Sequence, residues 1–229
     1  MRKPRIDRTR HIGSHGQPWL VPIVMGLVIA GAASQVSAQP VRPIGPYVID
    51  ARGSLARFKE DPTIAATIDV TPDNLPTRGL GVTAGVHWYP LRWRAITLGI
   101  GGEMLLARDS RTGEATETAP ERPTVTTRLT AMSPQLSLNF GRREGWSYIS
   151  GGMGWARLTA ERDDLPSPAG VDHSRATNYG AGARWFTSDR VAFSVDVRFY
   201  AINARPAFGT VPEFPRNRLT IISAGISVR

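Results

Sequence analysis

The chain has 229 residues, with 28 lysines and arginines, 19 aspartates and glutamates, and a formal net charge of +9. Residues 39–229 carry 23 of the basic and 18 of the acidic side chains, an excess too small to indicate a nucleic-acid-binding surface. No cysteine is present, which excludes disulfide bonds, thiolate metal sites and a lipid-modified cysteine anchor.

The first 38 residues have the pattern of a signal peptide. Five basic side chains lie within residues 2–10, a mostly apolar run follows over 19–33, and small residues lead to Ala38. We therefore predict a secretory signal peptide over 1–38 and a single domain over 39–229. The alternative is a transmembrane anchor, but the apolar run contains Pro22 and is shorter than the roughly 20 residues that a spanning helix needs.

Eight segments with a two-residue apolar period follow, and the seven connections between them alternate in length. The long connections are 59–77, 108–125, 159–175 and 202–217, and the short ones are 90–94, 141–145 and 187–190. Consecutive antiparallel strands place alternate connections at opposite ends, so the long loops share one rim and the short turns the other. This layout predicts an all-β fold, an eight-stranded antiparallel up-and-down β-barrel that crosses a membrane.

The two faces of the segments differ in the way that a membrane barrel requires. In the second segment, Leu80, Val82 and Val86 alternate with Gly81 and Thr83, and the other segments follow the same pattern. Small residues suit the narrow interior of an eight-stranded barrel. A soluble barrel with its apolar face inward and a β-sandwich are the alternatives, although a water-facing exterior is more typically rich in lysine and glutamate.

Six charged side chains share the inward face of this pattern. They are Asp50, Arg52, Glu103, Arg184, Asp196 and Arg198. Charges in a narrow interior must pair, because an unpaired buried ion is very costly. We predict a lumen charge network, which either plugs the barrel or lets ion pairs exchange partners in a gated pore.

Aromatic residues gather at the strand ends beside the short turns. The predicted members of this girdle are Tyr47, Trp88, Trp93, Phe140, Trp146, Tyr148, Trp185 and Phe186. Such a girdle is typical of the membrane interface of outer-membrane barrels.

Several short sequence segments resemble those of a known protein family. Residues 148–154 (Tyr-Ile-Ser-Gly-Gly-Met-Gly), 180–184 (Gly-Ala-Gly-Ala-Arg) and 195–200 (Val-Asp-Val-Arg-Phe-Tyr) are similar to strands of the small eight-stranded outer-membrane β-barrel proteins, which include the transmembrane domain of outer-membrane protein A. The resemblance implies location in the cell outer membrane, with outer-membrane lipid, lipopolysaccharide and the barrel-assembly machinery as partners. Those barrels usually end on an aromatic residue, whereas this chain ends on Arg229, which predicts either less efficient assembly or an atypical insertion signal.

The sequence favours a non-enzymatic function. The adjacent His173 and Ser174 point apart on an extended chain, so a lipid A-modifying barrel enzyme is the least favoured interpretation. Four histidines, two of them within residues 1–38, do not form a metal-ligand pattern, and we predict no metal or cofactor. The preferred function is an envelope structural or surface-interaction role through four long extracellular loops, carried out by a monomer. The alternative is a narrow porin-like channel for solutes or ions.

Overall fold

The computed structural model describes residues 44–113, 123–166, 173–206 and 213–229. The predicted signal peptide, residues 1–38, lies outside these ranges. The elements in chain order are β1 (Tyr47–Arg57), α1 (Pro62–Thr67), a short 3₁₀ helix (Pro72–Asn74), β2 (Arg78–Trp93), β3 (Ile96–Thr112), β4 (Thr124–Arg142), β5 (Gly145–Arg162), β6 (Ser174–Phe186), β7 (Val191–Ile202) and β8 (Asn217–Val228). Neither helix is long and apolar enough to cross a membrane.

The strands form a closed antiparallel barrel in which each pairs with its neighbours in sequence and β8 pairs with β1. This confirms the predicted eight-stranded up-and-down fold. We call the end with the turns 94–95, 143–144 and 187–190 the short-turn end, and the other the long-loop end.

The strands β3, β4 and β5 extend further toward the long-loop end than the sequence pattern indicated. β3 and β4 stay paired as far as Thr112 and Thr124, so residues 108–112 and 124–125 of the predicted loop 108–125 belong to strands. Ser110 and Thr126 share a hydrogen bond across this extension. Threonine is β-branched and fits a pleated strand, so a polar composition alone does not indicate a loop.

The pairing register sets the tilt of the strands. Partners followed once around the barrel from Tyr47 lead back to β1 at Arg57, ten residues further along the strand. With a rise of about 3.3 Å per residue and about 4.8 Å between strands, this offset tilts the strands by about 40°. The resulting interior is narrow enough to be filled by side chains.

Large apolar side chains cover the outer face, as the alternation predicted. They include Leu80, Val82, Ile100, Leu136, Met153, Tyr179, Phe199 and Ile226, all of which are exposed. The inward positions of the same strands are buried and mainly polar through the middle of the barrel.

The residues of the predicted aromatic girdle divide between the outer face and the lumen. Its members that lie exposed on the outer face are Tyr47, Trp88, Trp93, Phe140 and Trp185. Trp146 and Tyr148 are instead buried in the lumen, each 3% exposed, and Phe186 stacks on Trp146 with ring centroids 5.1 Å apart. These three assignments were wrong because they relied on closeness to a turn, whereas the two-residue period puts all three on the inward face.

The lumen is filled in three layers. At the short-turn end, an aromatic layer contains Ile44, Val48, Tyr89, Trp146 and Tyr148. The charged side chains lie in the middle. At the long-loop end, an apolar layer contains Ala56, Leu105, Ala107, Leu129, Ala131, Ala156, Leu158, Ala176, Tyr200, Ile202, Leu219 and Ile221. Sequence reasoning missed this upper apolar layer, although its members continue the inward period of their strands.

The apolar residues Ile64, Ile68 and Val70 of the first long connection suit either a hairpin extension or a short helix, and the structure shows a helix that folds over the long-loop end. The carboxylate of Asp61 caps α1 by accepting a hydrogen bond from the amide of Thr63. Ala65, Ile68 and Leu75 pack against Val125 of β4. We call residues 61–75 the lid segment.

Arg162, at the end of β5, fastens the lid segment. Its Nη1 donates to the carbonyl oxygens of Ile68 and Asp69, at 3.2 and 2.8 Å. Its Nε and Nη2 donate to both carboxylate oxygens of Asp164 at 2.6 and 2.9 Å, and this hydrogen bonding holds the pKa of Asp164 below its usual value. The Asp164 carboxylate therefore orients the guanidinium that binds the lid segment.

Substitution of Arg162 tests this fastening. Arg162→Gln removes the hydrogen bonds to the lid carbonyls, so we expect several-fold faster hydrogen exchange at the amides of Ala65 and Ile68. The matched control is Arg157→Gln, an exposed arginine on the same strand. Equal exchange in both variants would show that apolar packing alone holds the lid segment.

Candidate functional site

The middle of the lumen is a network of charged side chains from four strands. β1, β3, β6 and β7 supply all six of the residues assigned to it from the sequence, and none of the six is more than 5% exposed. Three are arginines and three are carboxylates, so the layer is balanced in charge. We call it the charge layer.

The part of the charge layer nearest the short-turn end is centred on Asp50. Arg184 donates from Nε and Nη2 to the two carboxylate oxygens, at 3.0 and 2.5 Å. The hydroxyl of Ser227 also donates to Asp50, and Nδ1 of His87 lies 3.4 Å from Oδ2. The Arg184 guanidinium lies over the ring of Tyr148, 4.4 Å from its centroid. This arrangement is a bidentate ion pair capped by an aromatic face.

The remainder of the layer is a closed ring of five side chains. Arg52 donates to Glu103 at 2.8 Å and to the hydroxyl of Tyr148 at 2.9 Å. That hydroxyl donates to Asp196 at 2.8 Å. Arg198 closes the ring, since its Nη2 lies 3.0 Å from Asp196 and its Nε lies 3.1 Å from Glu103. Each carboxylate therefore accepts from at least one arginine.

Uncharged polar side chains extend the network around the wall. Arg198 donates to the side chains of Asn178 and Ser150, both at 2.9 Å. Asn178 in turn donates to the hydroxyl of Ser133 at 2.8 Å. These contacts satisfy guanidinium donors that the carboxylates leave over, as burial of an arginine requires.

Tyr148 is the functional residue that sequence reasoning assigned wrongly. It joins the two parts of the charge layer, because its ring contacts Arg184 and its hydroxyl bridges Arg52 and Asp196. The signal that could have found it is its position two residues before the inward-facing Ser150.

The arrangement fills the middle of the lumen with paired side chains. The charged side chains neutralise one another, and an aromatic layer and an apolar layer enclose them on the two sides. The adjacent His173 and Ser174, weighed in the sequence as an enzyme signal, lie away from this layer at the start of β6.

The fold is similar to that of known bacterial barrels. Neisserial surface protein A matches with a TM-score of 0.52 and 13% sequence identity, over 80% of this chain and 96% of that chain. The fold is that of the small outer-membrane β-barrels. At this level of identity, the similarity concerns the fold alone.

Two further matches have lower scores. The attachment invasion locus protein Ail of Yersinia pestis gives a TM-score of 0.46 and 13% identity, over 81% of this chain and 98% of that chain. The outer membrane protease OmpT of Escherichia coli gives 0.46 and 9%, over 80% and 96%. Models of protein families give no match, and neither do curated protein sequences.

A double-mutant cycle tests the energetic role of the charge layer. Arg184→Met leaves the Asp50 carboxylate without its main partner, so we expect a loss of about 3–5 kcal/mol in the free energy of unfolding. Asp50→Asn combined with Arg184→Met removes both charges, and its cost should fall short of the sum of the single costs by more than about 1 kcal/mol. The measurement is urea-induced unfolding in detergent micelles.

The control for this cycle is Arg142→Met, which removes an exposed arginine at the short-turn end. We expect it to change the free energy of unfolding by less than about 0.5 kcal/mol. Additive costs for Asp50 and Arg184 would contradict the coupling that the geometry indicates.

Proposed function

We propose that the protein is a non-enzymatic outer-membrane barrel with a plugged lumen, which serves the envelope through structure or surface interaction at its long-loop end. Outer-membrane lipid, lipopolysaccharide and the barrel-assembly machinery are the partners that this proposal implies, and the barrel acts as a monomer.

The height of the outer apolar band is the observation that best supports the proposed membrane location. On β1, the exposed Tyr47 near the short-turn end lies ten residues from the exposed Arg57. On β2, the exposed Trp88 near the same end lies ten residues from the exposed Arg78. Ten residues in a strand tilted by about 40° rise about 25 Å along the barrel axis. This equals the apolar band of outer-membrane barrels, which is about 25 Å tall.

The filled lumen favours a structural or surface role over a porin-like channel. A conducting path would have to pass the aromatic layer, the paired charges and the upper apolar layer in turn. Moving an arginine of the charge layer out of the way would leave a buried carboxylate without its partner, which is strongly unfavourable. The porin-like alternative would need such a rearrangement.

The long-loop end is the natural place for an interaction surface. The strand ends that flank all four long connections lie there, and binding residues in proteins lie disproportionately on loops held by a scaffold of strands or helices. The lid segment adds an ordered surface to this end, and the side chain of Asp69 within it is 97% exposed.

Planar-bilayer recording of the refolded protein tests the plugged barrel. We expect no steady conductance steps after insertion, which is verified separately by heat-modifiable electrophoretic mobility and by protease protection in vesicles. Reproducible steps that shift in Arg52→Gln would overturn the plug in favour of a narrow channel. A protein that does not insert into lipid at all would refute the membrane location itself.

A further inference from the structure

Seven arginines face outward at the long-loop end of the barrel, one on every strand except β7. They are Arg57, Arg78, Arg108, Arg128, Arg157, Arg175 and Arg218, and all are exposed. We call them the arginine belt. Each shares the outward face of its strand with the apolar band, and each lies at the end of that band away from the aromatic girdle.

The arginine belt lies at one height around the barrel. Following paired residues once around the eight strands leads ten residues toward the long-loop end. A line of constant height around the barrel therefore shifts by a little more than one residue toward the short-turn end at each step from one strand to the next. Drawn from Arg57, this line passes within about two residues of every other arginine of the belt. The arginines therefore form a ring, although they are scattered in sequence.

Like charges lie directly opposite one another in this ring. Arg57 is the cross-strand partner of Arg78, and Arg108 is the cross-strand partner of Arg128. Directly opposed side chains have Cβ atoms about 5 Å apart, and like charges in this position are destabilising. Two such pairs favour an anion that both guanidinium groups can share.

The described side chains do not supply that anion. The ion pairs of the described residues all involve His87 or one of four other arginines, namely Arg52, Arg162, Arg184 and Arg198. The belt arginines thus keep their donors available on the outer surface of the barrel.

We propose that the arginine belt binds the phosphate groups of lipid A, the membrane anchor of lipopolysaccharide, in the outer leaflet. This inference rests on the proposed membrane location, which puts the belt at the headgroup level of the leaflet on the long-loop side. Guanidinium groups bind phosphate oxygens in a bidentate manner, and an opposed arginine pair can hold one phosphate between its members. Outward-facing apolar residues directly below the belt, namely the half-buried Leu55 and the exposed Leu80 and Leu106, then contact the acyl chains.

Lipid binding to the inserted protein tests the proposal. The protein in phosphatidylcholine nanodiscs is titrated with bisphosphorylated lipid A, with its dephosphorylated form and with phosphatidylglycerol, and retained lipid is measured by native mass spectrometry. We expect the tightest binding for bisphosphorylated lipid A. Arg57→Gln with Arg78→Gln should weaken it by about tenfold or more, because the variant loses two guanidinium groups that donate charged hydrogen bonds to phosphate.

Matched variants separate the belt from general charge effects. Arg92→Gln with Arg142→Gln removes the same charge from exposed positions at the short-turn end, and we expect affinity within about twofold of the wild type. Arg108→Gln with Arg128→Gln should repeat the loss seen for the first belt pair. Heat-modifiable mobility shows that each variant is folded.

The possible outcomes distinguish a failure of the arginine-belt proposal from a failure of the proposed membrane location. Correct insertion with equal affinity for bisphosphorylated and dephosphorylated lipid A, or with no loss in either belt variant, would overturn the belt alone. Preference for phosphatidylglycerol over lipid A would overturn the choice of lipid A. Failure to insert would overturn both proposals, because the height of the belt has meaning only in a bilayer.

Discussion

Three arginines and three carboxylates inside a narrow barrel have to neutralise one another, because an unpaired buried charge costs several kcal/mol. This constraint connects strands that are not neighbours. Arg52 of β1 binds Glu103 of β3, and Arg184 of β6 binds Asp50 of β1. These contacts cross the lumen, so the barrel cannot widen without separating ion pairs. The strand pairing of the barrel wall and the ion pairs in the lumen therefore fix the diameter of the barrel together.

The layers on either side strengthen this arrangement. An apolar layer above and an aromatic layer below exclude water, which makes each hydrogen bond of the network stronger and each unpaired group more costly. A lumen filled in this way leaves two surfaces for function, namely the outer face in contact with lipid and the long-loop end. The two proposals made above use one surface each.

Much of the fold could be predicted from the sequence, because a period of two residues is a local property. The same period assigned the six inward charges, but not their partners, which depend on register across the barrel. Trp146 and Tyr148 were misplaced when closeness to a turn was preferred to the period. The sequence did not decide between a short helix and a hairpin extension in the first long connection, because Ile64 and Ile68 suit either structure. The ring formed by the arginine belt emerges only once the offset of ten residues is known.

The upper apolar layer affects how the pairing register of the strands is determined. In that half of the barrel Leu105 faces inward and Leu106 faces outward, so both faces of β3 are apolar. A slip by one residue would exchange one leucine for the other at little cost in burial. The same slip would move Glu103 from its arginines into lipid. The charge layer therefore selects the alignment for the whole strand, and a barrel that lost it would populate several alignments rather than one looser structure.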